Sequence, residues 1–153
     1  MRETDIQNLQ RQIDELRDGQ RFLNRLENNA GWIYLTTPLT STSWDGDSYS
    51  TTAKTKIDLS AVFGAPAGIK AIYVRIFAGD SGSLNNTCYL LLSPNDTEGS
   101  SAVASWPQGK ANNAADDSYG ICPCDENGDV YYQIRATGAN TLFAYIQIWG
   151  YLL

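Results

Sequence analysis

Two patterns of apolar residues divide the chain near residue 30. Within residues 1–30, apolar side chains recur at intervals of three and four, the a and d spacing of a heptad repeat. From residue 31 onward they alternate with polar or aromatic side chains in short runs, which is typical of β-strands. The pattern predicts a coiled-coil stalk at 1–30 and a β-sandwich head domain at 31–153.

The heptad stripe of the first segment predicts a helix that needs partners. Its seam positions are Ile6, Leu9, Ile13, Leu16, Gln20 and Leu23. A helix this short is marginal alone in water, so we expect a parallel coiled coil. A single amphipathic helix folded back on the head is the alternative. Ile at a with Leu at d favours two strands, and Gln20 in the seam sets register without counting chains.

The second segment divides into short extended runs. Strands are predicted at 32–39, 51–59, 70–78, 87–93, 101–106, 119–122, 130–137 and 142–151. Turn signals such as DGD at 45–47 and ENGD at 126–129 separate them. Short strands at this spacing favour a mainly β fold, an antiparallel β-sandwich of the jelly-roll kind.

Three of these strands carry an unusual second face. One side is aliphatic, as with Ile72, Val74 and Ile76, and is predicted to face the core. The other side mixes aromatic residues with Arg or Gln, a combination typical of protein–protein interfaces. The predicted interface residues are Tyr73, Arg75, Phe77, Tyr131, Arg135, Tyr145, Trp149 and Tyr151. A second layer packed within the chain is the alternative.

Composition narrows the classes of partner. The chain has 11 basic and 17 acidic residues, a net charge of −6, which argues against nucleic acid or an anionic membrane surface as partner. No apolar run approaches the roughly 20 residues of a membrane helix, so membrane insertion is not predicted. The start, MRETDIQNLQ, lacks the apolar core of a signal peptide, so export is not expected either.

Neither a metal nor a cofactor is predicted. Histidine, the commonest metal ligand, is absent. The cysteines are Cys88, Cys122 and Cys124. An odd number suits reduced structural thiols better than a disulfide framework, and a zinc site needs four ligands. Asp125, Asn127 and Asp129 alternate like calcium ligands, but the adjacent Asn-Gly favours a plain hairpin turn, with calcium as the alternative.

The chain is not predicted to be an enzyme. It has no nucleophile elbow and no phosphate-binding loop. Paired carboxylates are the residues of a glycosidase, and the acidic candidates are Asp45, Asp47, Asp116 and Asp117. These lie in polar loops, without an apolar pocket to raise a carboxyl pKa.

Two loops combine an aromatic ring with hydrogen-bonding side chains, as a sugar site does. They are TSWDGDSY at 42–49 and SWPQGKANNAADDSY at 105–119. The candidate ligand-binding residues are Trp44, Asp45, Asp47, Trp106, Asn112, Asn113, Asp116 and Tyr119. Loops at the ends of a rigid sandwich often carry binding residues. The alternative is that both tryptophans tuck beneath their own loops.

Three stretches resemble the C-terminal β-domains of tailed-phage fibre and spike proteins. They are KIDLSAVFGAPAGIKAIYVRIFAGDSGS at 56–83, YLLLSPND at 89–96 and the closing YIQIWGYLL. The resemblance implies a homotrimer on the virion surface, made in the host cytoplasm, with a helical stalk docked on a virion protein and a head that binds a host glycan or protein. The alternatives are a head-fibre or capsid decoration protein without a host ligand, and a small glycan-cleaving enzyme.

Overall fold

The computed structural model describes residues 16–17, 31–44 and 46–153. Trp32–Leu153 forms a compact unit. Its strands, in chain order, are β1 (Trp32–Leu39), β2 (Gly46–Tyr49), β3 (Thr52–Ile57), β4 (Ala71–Asp80), β5 (Tyr89–Ser93), β6 (Val103–Ser105), β7 (Ala115–Pro123), β8 (Val130–Arg135) and β9 (Leu142–Leu152). One short helix in this unit, α1, spans Leu59–Phe63.

The strands form two antiparallel sheets, as predicted for a mainly β sandwich. Sheet A has the order β1-β9-β4-β7, and β2 also pairs with β9. Sheet B has the order β3-β8-β5-β6. The chain's closing strand β9 therefore lies inside sheet A, with β4 on one side and β1 and β2 on the other.

The inner faces of both sheets supply the core. On β4 the aliphatic residues Ile72, Val74 and Ile76 are fully buried, as the alternation predicted. Leu90 and Leu92 of β5 face them from sheet B in the same buried cluster. Each such side chain stabilises the fold by roughly 1.5–3 kcal/mol through burial, which makes this cluster the main support of the head.

Sequence analysis did not predict two elements, helix α1 and strand β2, although α1 carries local signals. Helix α1 begins at Asp58, whose carboxylate accepts a hydrogen bond from the Ala61 N–H at 2.9 Å. It ends at Gly64, which has the left-handed φ of 70° typical of a helix C-terminus. Strand β2 has only the turn-like letters GDSY, and it forms because it pairs with Ala144 and Leu142 of β9.

Strand β7 is longer than the predicted 119–122. It begins at Ala115 and includes Asp116 and Asp117, residues that are depleted from strands. Its pairing with β4 runs without interruption from Ala115, opposite Gly79, to Pro123. The neighbouring strand therefore overrides the local preference. The other predicted strands agree with the observed ones to within a few residues.

A β-bulge interrupts the alternation of β9. Tyr73 pairs with Gly150 and Val74 pairs with Ile148, so Trp149 is the extra residue between them. Such an insertion leaves one residue without a partner across the ladder and moves the following side chains to the opposite face.

The bulge overturns one predicted interface residue. Beyond it, Tyr151 pairs with the core-facing Ile72 and packs against the buried cluster. The prediction that Tyr151 shares a face with Tyr145 is therefore wrong, because one extra residue in the strand reverses the side that follows.

The predicted interface residues of β8 belong to the other sheet. Tyr131 and Arg135 lie on the outer side of sheet B, opposite Val130 and Ile134, which are buried. They cannot join the β4 and β9 residues in one surface, because the whole core lies between the two outer faces. The sequence shows which side of its own strand a residue occupies but not which sheet receives the strand.

The chain itself covers part of the outer side of sheet B. Leu91 is only 2% exposed although it points away from the core cluster. In the segment that follows β5, Gly99 donates its backbone N–H to the side-chain Oε1 of Gln133 at 3.3 Å, and the Gln133 Nε2 donates to the Glu98 carboxylate. Glu98 also accepts the Lys54 N–H at 3.2 Å. This strap covers Gln133 of β8 from within the chain, whereas Arg135 on the same side of the strand is exposed.

The predicted coiled coil lies almost wholly outside the described residues. Of its seam only Leu16 is described; it is helical and exposed in the single chain. The seam residues outside the described part are Ile6, Leu9, Ile13, Gln20 and Leu23. The stalk therefore stays a prediction. In the part of the chain that the structure describes, no helix is long and apolar enough to cross a membrane.

Candidate functional site: the outer face of sheet A

The outer face of sheet A is the side that turns away from the core. Its members, from β1, β4, β7 and β9, are Trp32, Tyr34, Tyr73, Arg75, Phe77, Asp117, Tyr119, Ile121, Phe143, Tyr145, Gln147 and Trp149. Five predicted interface residues thus meet on one surface: Tyr73, Arg75, Phe77, Tyr145 and Trp149.

Arg75 lies at the centre of this face and is held by two neighbouring strands. Its Nε and Nη2 donate to the two carboxylate oxygens of Asp117 on β7, at 2.7 and 2.6 Å. Its Nη1 donates to Gln147 on β9 at 3.1 Å. The hydrogen bonds to Asp117 raise the pKa of Arg75 above its usual range, so the guanidinium stays charged and fixed in one orientation.

Aromatic rings surround the guanidinium. The Arg75 Cζ lies 5.7 Å from the ring centroid of Phe77 and 5.8 Å from those of Tyr119 and Tyr145. Phe77 stacks on Tyr145 with centroids 4.6 Å apart and also contacts Phe143 at 5.9 Å. Cation–π and stacking contacts of this kind rigidify the surface before any partner arrives.

Two hollows lie toward the end of the face where β1 begins. The Trp32 hollow, of about 320 Å³, is lined by Trp32, Tyr34, Tyr73 and Ile121. The Trp149 hollow, of about 340 Å³, is lined by Tyr34, Leu35, Tyr73, Tyr119 and Trp149. Tyr34 and Tyr73 line both hollows.

Gly150 allows β1 to lie close to β9 beside the two hollows. It pairs with Tyr34 on one side and Tyr73 on the other. A Cβ at this position would approach the Ile33 carbonyl oxygen to 2.9 Å, closer than real contacts allow. The absence of a side chain here lets β1 and β9 approach closely.

The indole Nε1 of Trp149 is buried and has no hydrogen-bond acceptor among the described residues. A buried N–H without a partner destabilises the chain by about 1–3 kcal/mol relative to the same group in water or paired. Trp149, the extra residue of the bulge, is also one of the residues that line the Trp149 hollow. The outer face of sheet A therefore has a hydrogen-bond donor, the Trp149 indole N–H, that lacks an acceptor.

Sequence analysis missed the members of this face that come from edge strands. Tyr34 is 73% exposed and Tyr119 57% exposed, and Trp32, Asp117 and Ile121 are the other members from β1 and β7. Alternation within WIY and within YGI was a usable signal, but only the sheet order brings β1 and β7 to the two sides of β9 and β4.

The first predicted sugar-binding loop is not built as predicted. Trp44 is only 6% exposed; its ring stacks on Tyr49 at 5.4 Å and meets Tyr132 edge-on at 4.2 Å. It belongs to the core and offers no ring face to a ligand, so its proposed ligand role is wrong. Asp45 lies outside the described residues, and Asp47 is in β2 with its side chain outside them.

The second predicted loop keeps its aromatic ring exposed. Trp106 is 45% exposed, with its ring centroid 4.8 Å from that of Tyr89. Asp116 accepts the Trp106 N–H at 2.8 Å and pairs with Lys110 at 2.5 Å. Burial alone would raise the pKa of Asp116, but these hydrogen bonds lower it below the usual range.

The remaining residues of this loop are used within the chain or lie elsewhere. Asn112 accepts the Leu84 N–H at 3.1 Å, and Asn113 has a left-handed φ of 64° and donates its N–H to the Asp80 carbonyl at 2.9 Å. Tyr119 lies on the outer face of sheet A. Two predicted residues of the second loop therefore have exposed rings: Tyr119, in sheet A, and Trp106, which follows β6 of sheet B.

The two tryptophans should respond differently to truncation. We expect Trp44→Ala to lower the free energy of unfolding by about 3 kcal/mol, because it leaves a cavity in the core. Trp106→Ala should change it by less than about 1 kcal/mol, because nearly half of that side chain is already in water. Urea denaturation of both variants measures the difference, and equal losses would contradict the buried position of Trp44.

The candidate calcium residues form a hairpin turn whose charge is met by lysine. The Asp125 carboxylate accepts the N–H groups of Asn127 and Asp129, both at 2.9 Å. The Lys56 ammonium lies 3.4 Å from Asp125 and 2.7 Å from Asp129. Burial alone would raise the pKa of Asp125, but these contacts hold it below the usual range. The Lys56 ammonium thus occupies the position beside these carboxylates that a calcium ion would need.

The cysteines are buried or half-buried free thiols. Burial raises the pKa of Cys88 to about 11 and the pKa values of Cys122 and Cys124 to about 12. Thiols with such values are protonated at neutral pH and react slowly. Across the described residues, no group of three or more His, Cys, Asp or Glu side chains is placed to hold a metal.

Comparison with known proteins gives little. No protein-family model matches the chain, and no curated protein matches it. Among solved structures, the chain is similar to one described as Desmodium yellow mottle tymovirus, at 11% sequence identity. The match covers 80% of this chain and 89% of that chain, with a TM-score of 0.38. A similarity at this level adds nothing to what the two sheets themselves establish.

Proposed function

We propose that this chain is a non-enzymatic subunit of a homotrimeric fibre or spike on a virion surface. In this proposal residues 1–30 form a coiled-coil stalk that docks on a virion protein, and residues 31–153 form a head that attaches to the host. The resemblance to phage fibre heads supports the class of protein, and the outer face of sheet A supports assembly of several chains.

The observation that carries the proposal is the composition of that face. An isolated domain rarely exposes a large continuous surface of aromatic side chains. Here Phe77, Tyr145 and Tyr119 surround an Arg75 whose charge is already neutralised by Asp117. Aromatic residues with Arg are enriched in subunit interfaces, and a prepaired charge can be covered without a desolvated, isolated ion.

The placement of the carboxylates supports the non-enzymatic part of the proposal. Asp116 and Asp117 are adjacent in sequence but point to opposite sides of β7, because strand side chains alternate. Each is held by a different cation, Lys110 or Arg75. These two groups therefore do not form the facing carboxylate pair that glycoside hydrolysis needs.

Host attachment is proposed to occur on the parts of the head left free by assembly. Trp106 follows β6, at the edge of sheet B, and its exposed ring suits the apolar face of a sugar. Three identical weak sites on one trimer would bind a host surface with an avidity well above the affinity of one site.

A decoration protein without a host ligand is the second candidate. The observation in its favour is that polar groups around Trp106 are already used, because Asp116 pairs with Lys110 and Asn112 accepts the Leu84 N–H. A glycan array probed with the full chain and with Trp106→Ala separates the two candidates. Binding that is lost in the variant supports attachment; binding to no glycan favours decoration.

Mass in solution tests the assembly. We expect light scattering to give about 50 kDa for the full chain, three times the 16.8 kDa of one chain. Residues 31–153 should still associate, because the outer face of sheet A lies wholly within them. A monomeric full chain would remove the fibre proposal, and a well-folded monomer from residues 31–153 would leave assembly to the stalk alone.

A further inference from the structure

The Trp149 hollow combines a missing acceptor with exposed aromatic rings. The indole N–H is buried without a partner, and two of the rings that line the hollow, Tyr34 and Tyr119, are more than half exposed. Tyr34 has Trp32 as a neighbour and Tyr119 has Arg75, and most of the surface of each ring is left for a partner to cover. A partner that packs on these rings lies beside Trp149 and is a source of the acceptor that the indole lacks.

The lining restricts what can enter. The hollow is lined by three tyrosines, one leucine and Trp149, and none of them is charged. A charged ligand would lose its hydration here without gaining an opposite charge. The fitting occupant is an apolar or aromatic surface that carries one oxygen acceptor.

Position along the chain favours a second copy as that occupant. The predicted heptad seam ends at Leu23, and Trp32 and Tyr34 follow it closely at the start of β1. A parallel coiled coil would bring the β1 segments of the copies together at this end of each head. Local concentration of copies is therefore highest at the two hollows.

The shape and the area of the outer face of sheet A suit a second copy as the occupant. Two hollows of similar volume lie on this face and share Tyr34 and Tyr73, so side chains of one copy can enter the hollows of the next. Strand β4 has 10 residues, and four strands of that length make a plane of roughly 600 Å². Because the rings add relief, this approaches the roughly 800 Å² that each partner buries in a standard interface.

We infer that the Trp149 hollow is a contact between subunits, filled by a second copy of this chain that supplies an acceptor oxygen to the Trp149 indole N–H. This inference rests on the proposed function and names the residue at which one subunit recognises the next.

The experiment replaces the N–H alone. Trp149 in the full chain is substituted with 3-benzothienylalanine, in which sulfur replaces the indole N–H at nearly the same shape. A net hydrogen bond is worth about fivefold in an equilibrium constant, so three per trimer should lower the overall association constant about a hundredfold. Sedimentation over a dilution series measures it. The same substitution at Trp106 is the matched control and should leave association unchanged.

A second measurement does not depend on a variant. The chain has four tryptophans, so ¹⁵N labelling gives four indole N–H signals that substitution assigns. In the assembled chain, the Trp149 signal should exchange with solvent more slowly and shift downfield relative to the diluted chain. The Trp106 signal should not change.

The outcomes separate the inference from the proposal beneath it. A monomeric wild-type chain overturns both. A trimer whose association and Trp149 signal do not respond to the sulfur substitution or to dilution overturns the inference and leaves the proposed function in place. A Trp149 signal that moves on addition of a host glycan, but not on assembly, also overturns it, because the occupant is then a ligand.

Discussion

Replacing Asp80 with alanine should destabilise the head more than any other single polar substitution, by about 4–5 kcal/mol. The carboxylate is fully buried at the end of β4 and accepts four hydrogen bonds. The Gly82 N–H donates at 2.7 Å, the Thr137 N–H at 3.0 Å and the Thr141 hydroxyl at 2.9 Å, and the Thr137 hydroxyl donates the fourth. Hydrogen bonds to a charged group are each worth about 1.5–3 kcal/mol, and removal leaves buried donors unpaired.

The effect is large because the Asp80 side chain joins two loops at one end of the sandwich. Its carboxylate holds the loop after β4 and the loop between β8 and β9. The free energy of unfolding of a domain is about 5–15 kcal/mol, so the variant would lose a large part of it. Urea denaturation measures the loss. The exposed Asp96, replaced in the same way, should change stability by less than about 0.5 kcal/mol.

The same contact predicts how acid acts on the wild type. Burial alone would raise the pKa of Asp80, but the hydrogen bonds from Thr137, Gly82 and Thr141 lower it below its ordinary value. The stability that Asp80 contributes is therefore full above about pH 4, where the unfolded group is ionised, and is lost as pH falls through the lowered folded pKa. The gap between wild type and Asp80→Ala should narrow below about pH 4. A gap that stays constant to pH 2 would contradict the lowered pKa.

Arg75→Glu should dissociate the assembled chain, with a loss of about a thousandfold in association for each contact. The variant loses the ion pair with Asp117 and places two carboxylates side by side on the outer face of sheet A. Covering an unpaired charge in an interface costs about 3–5 kcal/mol, which corresponds to roughly that factor. Stability of the single head should fall far less, because its carboxylates stay partly in water.

Arg135→Glu is the matched control for this substitution. It makes the same change of charge, but Arg135 is exposed on the outer side of sheet B. Light scattering of both variants at equal concentration should show monomers for Arg75→Glu and an unchanged mass for Arg135→Glu. The reverse result would place the interface on sheet B and contradict the proposed assembly.

Alternation along single strands predicted much of the head correctly. In β4 the side that carries Ile72, Val74 and Ile76 is fully buried, and the side that carries Tyr73 and Arg75 is not. Strand geometry makes this prediction safe, because successive side chains point to opposite faces whatever lies beyond them. The mixed composition of the second side also indicated a special surface before any pairing was known.

Pairing between strands decided the points that were predicted wrongly. The bulge at Trp149 turns Tyr151 toward the core, and it exists only through the register of β9 against β4. Trp44 is buried because its ring packs against Tyr49 of the same loop and against Tyr132, which is distant in sequence. Both facts depend on which strands become neighbours.

By itself, the sequence determined the mainly β class of the head, the inward sides of its central strands and the aromatic character of their outward sides. Those properties follow from the period of two along one strand and from the hydrophobicity of the side chains. Only the tertiary structure decided that Tyr73, Arg75, Phe77 and Tyr145 share a surface while Tyr131 and Arg135 lie on the opposite sheet. The order of strands in a sheet is set by contacts between segments far apart in the chain, and no periodicity within a segment encodes it.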